Sequence, residues 1–88
     1  MFTAKADAER VTSGLARHHV IEAIVNSPAV YKTLRSRSSN RSAAGEKLYV
    51  ILGFTHDGLL VYTKGALRRY AGEEFFYVLV SAKRSLED

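Results

Sequence analysis

An α+β fold, with two helices ahead of a four-stranded and mainly antiparallel sheet, is what this chain of 88 residues predicts. Three observations lead there. Apolar residues recur at helical spacing before Pro28. After Pro28 they alternate or run continuously, as in strands. Gly, Asn, Asp and Ser then punctuate the chain at strand-length intervals. The element order is ααββββ, with both helices packed on one face of the sheet.

Each element has its own signal. Ala4 to Ser13 holds good helix formers and no proline, and Gly14 accepts the left-handed conformation of a helix cap. Leu15, Val20, Ile21, Ile24 and Val25 form the apolar stripe of a second helix. Asn26-Ser27-Pro28 ends it, because proline disfavours helix in the residue before it. Ala29 to Arg37 alternates as a half-buried strand, with Val30, Lys32, Leu34 and Ser36 on one side and Tyr31, Thr33, Arg35 and Arg37 on the other. Ser36 to Gly45 is Ser/Arg/Asn/Gly-rich and predicts a loop. Lys47 to Thr55 is a strand of strong β formers. Asp57-Gly58 is a two-residue hairpin signal, and Leu59 to Lys64 returns antiparallel. Gly65 to Glu74 predicts a longer connection. Glu74 to Lys83 is the last strand, and its run from Phe75 to Val80 predicts a central strand covered on both faces.

Length predicts one domain, spanning residues 1–88, that buries roughly 60–65% of its unfolded surface. There are no cysteines, which excludes disulfides, thiolate metal sites and a cysteine nucleophile. No apolar run approaches the ~20 residues of a membrane span, and the first residues lack the apolar stretch of a signal peptide. A cytoplasmic protein that does not contact membrane is the expectation. The three histidines have no metal-site spacing. Neither a Gly-rich phosphate loop nor a nucleophile elbow is present, so no cofactor is expected.

Charge is unevenly placed. Residues 1–28 are neutral, whereas residues 29–84 carry ten Lys/Arg against four acids. Positive charge concentrated on strands and their loops is the footprint of a phosphate-rich partner or an anionic surface. Strand parity collects a candidate face: Tyr31, Arg35 and Arg37 on the first strand, Tyr62 and Lys64 on the third, Tyr77, Ser81 and Lys83 on the fourth. Aromatics interleaved with cations suit RNA, because rings stack on bases while cations hold phosphates. The plainer alternative is solvated strand-end cations with core tyrosines. Ser36 to Ser42, including Arg37 and Arg41, reads as a phosphate-gripping loop or as a plain surface loop. His18 and His19 point about 100° apart on a helix, so only one can face a site. His56-Asp57 sits in a hairpin turn, which accounts for it without catalysis.

A pattern spread over most of the chain carries a family resemblance. Its parts are Ala8-Glu9-Arg10, Val20-Ile21-Glu22-Ala23-Ile24, Asn26-Ser27-Pro28, Lys47-Leu48-Tyr49-Val50-Ile51, Asp57-Gly58, Val61-Tyr62-Thr63 and Val80-Ser81-Ala82-Lys83. The sequence resembles the BrnT-like toxins and related small domains of the RelE/ParE-like superfamily, whose last strand typically ends in a Ser-Ala-Arg/Lys segment. The resemblance implies an endoribonuclease toxin that cuts mRNA, free or ribosome-bound, and pairs with an antitoxin. Many such chains open with a short strand before the helices, for which Phe2-Thr3 is barely long enough.

RNA cleavage needs the 2′-hydroxyl deprotonated, the charge on phosphorus stabilised and the leaving 5′-oxygen protonated. Lys and Arg at fixed positions can stabilise that charge without a metal. Arg35, Lys64, Lys83 and Arg84 are the candidates around the phosphate, and Tyr62 or His19 for proton transfer. Tyr31, Lys32, Arg37, Arg41, Tyr77 and Ser81 are the candidates for RNA binding, with Tyr77 stacking on a base. A neighbouring cation cluster is expected to lower the pKa of a tyrosine or lysine acting as base. Two other readings stay open: a non-catalytic RNA- or ribosome-binding module, and a basic domain that holds an acidic protein. The aromatic last strand reads as core or as a homodimer interface.

Overall fold

A computed structural model describes residues 1–35, 45–70, 72 and 74–85. The predicted loop and its Arg37 and Arg41 lie outside the described residues. The elements follow in the expected order: α1 (Ala4–Thr12), α2 (Arg17–Asn26), β1 (Lys32–Arg35), β2 (Lys47–Phe54), β3 (Leu60–Tyr70) and β4 (Glu74–Arg84). The strands form one antiparallel meander in the order β1-β2-β3-β4.

Local chemistry sets the helix ends. The Thr3 hydroxyl accepts the Ala6 N–H at 3.2 Å and caps α1. Gly14, at φ +77°, turns the chain between the helices. At the start of α2, Ala16 cannot cap with its own side chain. Instead Nδ1 of His19 accepts the Ala16 N–H at 2.9 Å, satisfying a donor that the helix end leaves orphaned.

Paired residues on neighbouring strands share a face, so the register sorts the sheet. Gly53 with Val61, and Thr63 with Ala82, belong to the face that receives the helices. The core there joins Ala6, Leu15, Val20 and Ala23 of the helical layer to Val61, Leu79 and Ala82 of the sheet. The fit is close enough that a Cβ on Gly53 would lie 1.8 Å from the Ala23 carbonyl oxygen. The opposite, outer face carries two rows: Lys32, Val50, Lys64 and Ser81 form one, and Leu52, Tyr62 and Lys83 the other. That face is not uniformly open, because Leu48, Val50, Ala66 and Val78 are all buried.

Several expectations are corrected. The stretch from Gly65 is not a connection: β3 runs on to Tyr70, and Gly65 lies inside it because the Tyr77 ring crosses that position. A Cβ there would meet the ring at 2.7 Å. The β2–β3 turn holds three residues, His56, Asp57 and Gly58, between a Thr55–Leu59 backbone hydrogen bond, with Gly58 at φ +88°. β1 is exposed throughout rather than half-buried, since it is an edge strand. β4 also ends the sheet instead of lying at its centre, although Val78 is buried on one of its faces and Leu79 and Ala82 on the other.

The N-terminal segment covers the outer edge of β4. Phe2 bridges Leu79 in parallel, with Thr3 N–H donating to Leu79 O at 3.0 Å and Leu79 N–H to Met1 O at 2.8 Å. Lys5, Glu9 and Ser13 recur at i, i+4 and i+8 along one side of the first helix and its cap. Lys5 Nζ donates to Val80 O at 3.4 Å, Glu9 Oε1 accepts from Ala82 N–H at 3.1 Å, and Ser13 Oγ accepts from Arg84 N–H at 3.3 Å. These contacts satisfy edge groups that would otherwise invite another strand. No helix among the described residues is long and apolar enough to cross a membrane.

Candidate nucleic-acid interface

A groove of 440 Å³ opens on the outer face where the two layers of charge and aromatic surface meet. Tyr31, Lys32, Leu52, Tyr62, Lys83 and Arg84 line it, with Ser13 and Ser85 at its border. The register explains the convergence. Leu52 opposes Tyr62 across β2–β3, and Tyr62 opposes Lys83 across β3–β4. Tyr31 reaches the same place because its N–H anchors the entry to β1 on Val50 O at 2.8 Å.

Two cation–ring pairs mark the groove. The Lys32 ammonium lies 5.8 Å from the Tyr31 ring centre, and that of Lys83 lies 5.6 Å from the Tyr62 ring centre. Lys32, Lys83, Arg84 and Tyr31 are exposed, while Tyr62 is half-buried. Neither lysine is in an ion pair among the described residues, and no carboxylate or imidazole lines the groove.

Tyr62 departs from the expected chemistry. Burial raises its pKa, and the Glu9 carboxylate raises it further, so nearby cations do not make it a base. It stays a neutral phenol, able to donate a hydrogen bond or a proton. Glu9 itself is engaged. Burial raises its pKa, but the Ser81 hydroxyl, the Ala82 N–H and Lys5 outweigh burial and hold it below the ordinary range. Ser81 Oγ donates to Glu9 Oε1 at 2.5 Å, and Lys5 Nζ lies 3.5 Å from Glu9 Oε2. A smaller hollow of 270 Å³, lined by Ala8, Glu9, Thr12, Ser13 and Lys83, adjoins at Lys83.

The other candidates are placed elsewhere. A register shift between Lys64 and Gly65 breaks the simple alternation along β4. It leaves Tyr77 paired with Leu67 and packed against the helix-side core, opposite to Lys83. The Tyr77 hydroxyl donates to Tyr49 O at 3.0 Å, and burial pushes its pKa up. It is a core residue rather than a stacking platform. Ser81 is buried against Glu9. Lys64 stands one row from the groove, between Val50 and Ser81. Arg35 pairs with Lys47 at the far end of β1 and donates to Gly45 O at 3.1 Å. His19 caps α2 and lies beside His18, with ring centres 4.2 Å apart and the planes tilted by 43°. His56 is tied to Glu22 through its backbone N–H at 3.1 Å and lies 3.1 Å from the Asn26 amide.

The structure thus brings together Tyr31, Lys32, Tyr62, Lys83 and Arg84 of the sequence candidates. Sequence reasoning missed Leu52 and also Glu9, whose charge adds to the effect of burial on Tyr62. Leu52 follows from the β2–β3 register, but the Glu9 position depends on how α1 docks, which no local pattern encodes. Among the described residues, no three His, Cys, Asp or Glu side chains converge in a metal-binding group. Compared with known proteins, the chain matches no family model, no curated protein and no solved structure.

Proposed function

We propose that this protein grips single-stranded RNA in the Tyr31–Lys32–Tyr62–Lys83–Arg84 groove and, as the toxin of a toxin–antitoxin pair, cleaves it. The observation that supports this reading is the alternation of two rings with three cations along one groove. The exposed Tyr31 ring and the half-buried Tyr62 ring offer stacking surfaces to unpaired bases, and the cations offer contacts to successive phosphates.

In cleavage, the 2′-oxygen attacks phosphorus as its proton passes to solvent base, and the bond to the 5′-oxygen breaks. Tyr62 gives its proton to that leaving oxygen and is reprotonated by water. Lys83 and Arg84 offset the negative charge that builds on phosphorus, an effect worth roughly 10²–10³ in rate per preorganised donor. Binding without cleavage is the second reading. It is favoured by the absence of a carboxylate or imidazole base among the described residues of the groove.

One experiment separates them. The wild type, Tyr62→Phe and Lys83→Ala are each incubated with a long RNA in EDTA, with and without ribosomes. Cleavage by the wild type, lost in Tyr62→Phe although that variant still retains RNA, supports the toxin. Retention without fragments, weakened in Lys83→Ala, supports the binding module. Failure of the wild type to retain or cut RNA rejects both.

A further inference from the structure

The two edges of this sheet are treated differently. The β4 edge is closed by the Phe2 bridge and by Lys5, Glu9 and Ser13. The β1 edge has no partner among the described residues, and Lys32, Thr33, Leu34 and Arg35 are all exposed. Val50 O accepts the Tyr31 N–H and so faces β1, and Val50 pairs with Lys32, so Lys32 and Leu34 face β2 while the amides and carbonyls of Thr33 and Arg35 point outward. They form a ready template for one more strand.

We propose that the outer edge of β1 docks an extended acidic peptide, one carrying two carboxylates three residues apart. The charges on the edge select that occupant. Lys32 and Arg35 are three residues apart, and Arg35 pairs with Lys47 on β2, so the far end of the edge is doubly cationic. Like charges directly opposed across strands are destabilising, and opposite ones are favourable. An incoming strand with acids opposite Lys32 and Arg35 gains both attractions. Residues three apart on a strand face opposite ways, so one carboxylate meets Lys32 on the outer face and the other meets Arg35 on the helix side. Exposed Leu34 and Val30 offer apolar contact between them. The proposal does not depend on the RNA reading.

The probe is a capped synthetic peptide of Val and Thr bearing two glutamates three residues apart, compared with its glutamine twin. Affinity is measured by titration, and amide exchange is followed residue by residue. The expected result is tighter binding of the glutamate peptide, with new protection at the Thr33 and Arg35 amides. Arg35→Glu, which lies outside the groove, should bind it about tenfold more weakly, since one attraction becomes a repulsion. Thr33→Pro, which removes an outward N–H, should abolish the protection, and circular dichroism verifies its fold. Equal binding of the two peptides, protection at other amides, or concentration-dependent self-association that protects the same amides would each overturn the proposal.

Discussion

Replacing Lys83 by alanine should change how RNA binding responds to salt, by an amount that the groove sets. Three cations line it: Lys32, Lys83 and Arg84. Each phosphate neutralised on a single strand contributes about −0.7 to the slope of log K against log salt concentration. Full engagement of all three therefore gives a slope of about −2, and Lys83→Ala reduces it to about −1.4. From about 50 to about 200 mM salt, affinity should fall about 18-fold for the wild type and about 7-fold for the variant. Fluorescence anisotropy of a short, unstructured, dye-labelled RNA reads both slopes. Lys47→Ala is the control. Lys47 is exposed, sits 5.4 Å from the Tyr49 ring and does not line the groove. If Lys47→Ala lowers the slope as much as Lys83→Ala does, binding follows overall charge and the groove argument fails.

Three further outcomes test the architecture. Gly53→Ala forces a methyl against the Ala23 backbone of α2. Overpacking of this kind costs roughly 1–3 kcal/mol, so a thermal melt should show Tm lowered by more than about 10 °C at the upper end. Glu9 is held below the ordinary carboxylate range, so its contribution to stability is present above that range and lost as pH falls through its lowered pKa. Glu9→Gln should therefore make the loss of stability below about pH 4 shallower in denaturant titrations. Tyr77→Phe should cost about 0.5–1.5 kcal/mol by removing the hydrogen bond to Tyr49. It should leave RNA retention unchanged, which the parity reading of the last strand does not allow.

The order of elements was legible because Pro28 divides a helical period from a strand period, and both survive in the fold. Register was less so. A two-residue turn centred on Asp57-Gly58 would shift β3 by one residue against β2 and exchange its faces. Thr55 prevents that: its Oγ1 accepts the Leu59 N–H at 3.0 Å and stabilises a three-residue loop. Gly65 misled for a related reason. Glycine marks turns in sequence, but here it makes room for a ring arriving from β4. The same irregularity places Tyr77 on the helix side, so alternation read without the bulge joins residues that the sheet separates. Tyr62, Lys83 and Arg84 were found by their place at strand ends, where alternation holds. His19 was visible as a titratable group, but its role as a helix cap depends on the chain turning at Ala16.

The clasp on β4 has a kinetic consequence. Glu9 meets Ser81 and Ala82 across 72 and 73 residues of chain, and Ser13 meets Arg84 across 71. The meander itself grows by hairpins between sequence neighbours, which close quickly, whereas joining segments so far apart carries a larger loop-closure entropy. Folding should therefore pass through a stage in which the sheet is assembled but its last strand is bare along one side, with α1 yet to settle. In that interval the β4 edge is bare as well as the β1 edge, which has no partner among the described residues, and dilute conditions favour closure by its own helix over capture by a neighbour.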